Sequence, residues 1–174
     1  MASPKCKEKA AAKGRRGLVL FENVEDAIMA EGILRKDGYA FKLVAPPPKL
    51  RKGCVLALEI DLVEQTGIER LLRQKEAYYA GVTPLNPGNS KPLDIVKPTD
   101  FGDWLMIKVG SMKLTYHKQS GIIVNISGSG CPDVPYLHAE LVDKSLTEVT
   151  RPSDIGFSLC AWMLDQALLK AQAL

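Results

Sequence analysis

Cysteine is the residue type through which this chain could carry out group transfer. Cys54 closes the run Pro46-Pro47-Pro48-Lys49-Leu50-Arg51-Lys52-Gly53 and opens the apolar stretch Val55-Leu56-Ala57-Leu58. A thiol reacts as its thiolate, which neighbouring cations stabilise. Lys49, Arg51 and Lys52 all fall within the five residues before it, so a nucleophilic Cys54 is one expectation. The other is burial at the start of a strand, because free cysteine packs as a small hydrophobe. The same cations could instead hold an anionic ligand.

Cys131 lies in Ser127-Gly128-Ser129-Gly130-Cys131-Pro132-Asp133-Val134-Pro135. Proline suits the first position of a helix, so this thiol is expected at a helix start, where unpaired N–H groups and the macrodipole favour the anion. The amides of Gly128, Ser129 and Gly130 make the loop a candidate anion cradle. It lacks the Lys-Ser/Thr of a P-loop and the spacing of a dinucleotide fingerprint. The alternative is a glycine-rich turn around a buried cysteine. Cys160 reads as core packing. His138 is expected at the surface near the same helix start, and His117 on the solvent side of a strand.

The four cysteines form no Cys-x-x-Cys pair and only two histidines accompany them, so no zinc site or other metal is expected, and no cofactor. Nor is a disulfide framework expected, given a reducing cytoplasm.

The elements that must position these thiols follow from periodicity. Leu18–Phe21 is of strand length. Asn23 can cap a helix carrying Ala27, Ala30, Ile33 and Leu34 at helical spacing. Strands are expected over Tyr39–Ala45, Cys54–Ile60 and Ala77–Val82, with a helix from Asp61 to about Lys75 that Gly67 weakens. The order β-α-β-β-α-β is the split-βαβ, ferredoxin-like arrangement. It puts the 46–54 loop between the two middle strands, read as the outer ones.

Leu18–Phe21, the Ala27–Leu34 helix, Pro46–Pro48 and Gly53-Cys54-x-Leu56-Ala57-Leu58 resemble the selenium/sulfur carrier-like domains of the DUF3343 group. The resemblance covers about residues 16–85 and implies a carrier role for Cys54. Val55 stands where that family commonly has glycine. Cys131-Pro132 is similar, over a few residues, to the active cysteine of TusA-type sulfur-transfer proteins.

Residues 84–100, rich in proline, glycine, asparagine and serine, read as a linker. It divides a ferredoxin-like domain over 17–83 from a small α+β domain over 101–174. Trp104–Val109, Met112–Lys118 and Gly121–Ser127 predict a three-stranded antiparallel meander. Two helices follow, Tyr136–Val149 and one capped by Ser153. The expected class is α+β: a ferredoxin-like half, then a small antiparallel sheet with two C-terminal helices.

Residues 1–16 carry a net charge of +5, which leaves about −2 for the remainder of a chain whose total is +3. A general basic surface is thus excluded, and no nucleic-acid partner is expected. No segment reads as a membrane span or signal peptide, so the expected location is cytoplasmic. No acid pair, Ser-His-Asp order or dinucleotide motif indicates a conventional enzyme. The expected function is a cysteine-based sulfur or selenium carrier or maturation accessory, with a persulfide or perselenide on Cys54, Cys131 or both. Its partners would be donor and acceptor proteins, a homo-oligomer or a larger complex. The alternatives are a non-catalytic anion- or small-molecule-binding or regulatory module, or an accessory subunit.

Overall fold

The computed structural model describes residues 15–86, 91–128 and 130–174. Most of the basic tail, the residues 87–90 and Ser129 lie outside it. The chain divides into two compact units, Met1–Asp94 and Ile95–Leu174, and the class is α+β.

In the first unit the elements run β1 (Arg16–Leu20), α1 (Val24–Lys36), β2 (Phe41–Ala45), β3 (Ala57–Asp61), α2 (Gln65–Gln74), β4 (Gly81–Pro84) and β5 (Leu93–Asp94). The sheet order is β4-β1-β3-β2-β5, antiparallel throughout. The first four strands thus have the ferredoxin-like arrangement. β3 is therefore central rather than outer, paired with β1 and β2.

Asn23 caps α1 by accepting from the Asp26 N–H at 2.9 Å. Alternation along the strands divides the buried residues between two faces. Val19 and Leu58 pair on one face. Leu18, Leu20, Val44 and Ala57 cluster on the other, where Leu50 of the proline loop and Leu85 pack against them. Gly67 does not interrupt α2.

The second unit contains β6 (Val96–Phe101), β7 (Trp104–Val109), β8 (Met112–His117), β9 (Ile123–Ser127), α3 (Val134–Leu141), α4 (Pro152–Ile155) and α5 (Leu159–Gln172). The meander is one strand larger than expected, in the order β6-β7-β8-β9. Ile107, Val109, Met112, Leu114 and Ile126 are buried in one core with Leu137, Leu141, Leu164 and Leu168 of the helices. α5 packs across β7 and β8. Its cap is Ser158, accepting from the Ala161 N–H at 3.3 Å, rather than Ser153. Ser153 instead donates to the buried Asp165 of α5 at 3.1 Å.

The segment read as a linker over 84–100 holds β5 and all of β6 but its last residue, Phe101. β5 adds to the edge of β2, reinforced by Lys42 and Asp94 at 2.7 Å. β6 accommodates Pro98 because it is an edge strand, where a missing N–H is tolerated.

Candidate functional site

Cys54 sits just before β3, in a loop held against the turn between β1 and α1. Its N–H donates to the Phe21 carbonyl at 3.2 Å. Gly53 has φ 123°, and a Cβ there would lie 2.4 Å from the Glu22 carbonyl oxygen. Glycine therefore permits both the backbone conformation and the close approach of the two loops. These contacts bring Cys54 to the N-terminal side of α1.

The thiol is 2% exposed. The Leu56 N–H donates to its Sγ at 3.3 Å. Burial pushes the thiol pKa up from its ordinary value, the Leu56 and Val55 amides pull it down, and Asp26 adds to the rise. This corrects the expectation of a thiolate stabilised by Lys49, Arg51 and Lys52. Those side chains are exposed, and the Arg51 Nε turns back to donate to the Pro46 carbonyl at 3.2 Å. The carboxylate that acts on the thiol is Asp26, 28 positions earlier in the sequence. Its orientation is set by the Asn23 amide, which donates to Asp26 Oδ2 at 2.7 Å. Strand periodicity carried no signal of that neighbour.

Cys131 forms a disulfide with Cys160, 29 positions on. This overturns both the expected absence of disulfides and the reading of Cys160 as packing alone. Neither sulfur is a free nucleophile in that state. α3 begins at Val134 with Asp133 as its cap residue, so Cys131 precedes the helix instead of starting it. Asp133 Oδ2 accepts from the Ser158 N–H at 2.9 Å. The Ser158 hydrogen bonds hold the Asp133 carboxyl below its ordinary pKa. The loop before α3 is thereby tied twice to the start of α5.

Of the expected anion cradle, Gly128 closes on the core: a Cβ there would meet Met112 Sδ at 2.0 Å. Gly130 is exposed, and Ser129 lies outside the described residues. His138 is exposed. His117 is half-buried, with its Nδ1 3.1 Å from the Ser120 hydroxyl. Lys49, Arg51, Lys52 and Cys54 thus share one loop of the first unit. Gly128, Gly130 and Cys131 share one loop of the second. Among the described residues no group of acidic, histidine and cysteine side chains could hold a metal, and no helix is long and apolar enough to cross a membrane.

Residues 16–84 match the family described as "Putative Se/S carrier protein-like", and residues 95–174 match "Domain of unknown function (DUF8182)". The chain is 42% identical over 163 residues to "Uncharacterized protein MJ0011" of Methanocaldococcus jannaschii, covering 92% of this chain and 81% of that protein. No solved structure matches the chain.

Proposed function

The chain belongs to the family of the Methanocaldococcus jannaschii protein MJ0011, and from its Se/S carrier-like first half we propose that Cys54 carries sulfane sulfur or selenium. One observation carries this reading: Cys54 is the sole cysteine within the matched residues 16–84. In the sulfur case the Cys54 thiolate attacks the terminal sulfur of a donor persulfide. A new S–S bond forms at Cys54 as the donor's S–S bond breaks, and the donor leaves as a thiol. An acceptor nucleophile later takes the sulfane atom and releases the Cys54 thiolate. Both steps are transfers and need no external oxidant. The Leu56 amide, already directed at the sulfur, supplies a hydrogen-bond donor to the anionic sulfur that each transfer passes through.

A buried thiol with a raised pKa is stored in its unreactive form. Reaction therefore requires the 49–55 loop to open, a local motion of the kind that exposed backbone segments undergo. Lys49 and Lys52, exposed on that loop, are placed to meet an acidic face of a donor or acceptor protein. Cys131 joins the carrier chemistry only after reduction of its disulfide.

The same burial favours a second reading, a non-catalytic anion-binding module in which Cys54 only packs. Mass spectrometry of Cys54 peptides after incubation with a cysteine desulfurase and cysteine decides between them. The carrier reading expects the mass of one added sulfur on wild-type protein and on Cys131→Ala, and none on Cys54→Ala. No adduct on Cys54, with the desulfurase shown to be active, would leave the binding module.

A further inference from the structure

The sheet of the second unit buries one face against its helices; on the other, Lys97, Thr99, Phe101, Trp104 and Lys108 are exposed and Met106, Lys113, Thr115 and His117 half-buried. Register orders that face into three rows. Phe101, Trp104 and His117 are cross-strand partners in the first row. Thr99, Met106 and Thr115 form the second, and Lys97, Lys108 and Lys113 the third.

Like charges directly opposite one another destabilise a sheet, yet here lysine faces lysine across two successive strand pairs. No ion pair to these three lysines forms among the described residues. Lysine on an edge strand can serve to prevent sheet-to-sheet aggregation, which would account for Lys97 on β6. It does not account for Lys108 and Lys113, which lie on the interior strands β7 and β8. Nor does overall charge, because the unit carries seven Lys and Arg against eight Asp and Glu. A row of cations in a slightly acidic unit is a local arrangement with its own cause.

The aromatic row is also unusual. Phe101 is 57% and Trp104 45% exposed, paired at the end of a hairpin. The Trp104 ring meets His117 edge-on at 6.3 Å. The two rows are four residues apart along the strands, roughly 13 Å at the rise of a β-strand. A surface with ring faces at one end and cations at the other matches a ligand whose flat groups and anionic groups are both available. A duplex hides its base faces; an extended single strand offers both, with bases stacking on aromatics and phosphates meeting lysines.

We propose that this face, through Phe101, Trp104 and the row Lys97, Lys108 and Lys113, binds single-stranded nucleic acid. This differs from the general basic surface that the composition excludes, and from the basic tail, which contributes charge without rings. Bases read by stacking give little discrimination between RNA and DNA, so both sugars are tested.

Anisotropy titrations of the full chain with labelled single-stranded RNA, single-stranded DNA and a duplex of equal length provide the test. The single strands should bind at least tenfold more tightly than the duplex, and any preference between RNA and DNA identifies the natural strand. Three phosphate contacts contribute about −2 to the slope of log K against log salt, with each lysine removed reducing its magnitude by about 0.7. Lys108→Gln should therefore flatten the slope. Trp104→Ala should weaken binding about tenfold with the slope unchanged. Fluorescence of exposed Trp104 should be quenched on binding, a signal that Lys108→Gln retains at saturation. Both positions are exposed, and circular dichroism checks that each variant folds. Binding insensitive to both substitutions would assign it to the tail and overturn the proposal. Equal affinity for duplex, or equal displacement by polyglutamate, would also overturn it, the latter pointing to an acidic protein partner.

Discussion

At Cys54 the competing influences on the sulfur can be ranked. Removal from water raises the thiol pKa and outweighs the Leu56 and Val55 amides that lower it, and Asp26 reinforces the rise. Alkylation by iodoacetamide should therefore be slow at neutral pH compared with a free cysteine and should accelerate as pH climbs past the ordinary value of 9.0. Asp26→Asn should increase the neutral-pH rate, read by mass spectrometry of the Cys54 peptide; an unchanged rate would mean that Asp26 does not act on the thiol. Linkage sets the sign for stability. A folded pKa above the unfolded one means that the folded state holds the proton more tightly. This stabilisation is present below pH 9.0 and lost as pH rises through the higher folded value. Gly53→Ala introduces strain at φ 123° and a clash with the Glu22 carbonyl. It should cost about 1–3 kcal/mol for the backbone alone and speed alkylation of Cys54 by loosening the two loops, measured by urea unfolding and the same labelling assay.

The elements show how local sequence and tertiary partners divide the work. Gly32 lies exposed in the interior of α1, with nothing within 4 Å of the position a Cβ would take. Gly32→Ala should stabilise the first unit by about 1 kcal/mol, seen as a higher urea midpoint with an unchanged m-value. In α5 the buried Asp165 accepts from Arg151 Nε at 2.9 Å and from Ser153 at 3.1 Å, and also pairs with the Arg151 Nη2. Arg151→Ala leaves the carboxylate buried with one of its partners removed, and should cost about 2–3 kcal/mol. That estimate is held down because Arg151 is half exposed and Ser153 remains; chemical denaturation measures it. The β-α-β-β-α-β order was legible because each apolar run had strand or helix period and a cap or glycine closing it. β5 and β6 were not, since Pro92 and Pro98 argue against strands unless the strand lies on an edge. The run before Cys54 singled that thiol out, and left its burial as one of two readings. What encloses it was not legible, because Phe21 to Asp26 approach through tertiary contacts.

At the scale of the whole molecule, the two units should be separable by their spectroscopy. Both tryptophans, Trp104 and Trp162, belong to the second unit. Tryptophan fluorescence therefore follows that unit, whereas far-ultraviolet circular dichroism follows the secondary structure of both. The Cys131–Cys160 bond closes a loop within the second unit. A loop of about 30 residues restricts the unfolded chain by roughly 3–4 kcal/mol in the chain-entropy account. For a unit of this size that corresponds to a shift of about 15 °C or more in melting temperature. Adding a thiol reductant should move the tryptophan transition down by that amount. The part of the dichroism change that belongs to the first unit should hold its midpoint, because its sole described cysteine is the reduced Cys54. Cys160→Ala should reproduce the effect without reductant, plus the loss from removing a buried side chain. A reductant that left the fluorescence transition in place would mean that packing of α5 against β7 and β8, rather than the cross-link, sets the stability of this unit.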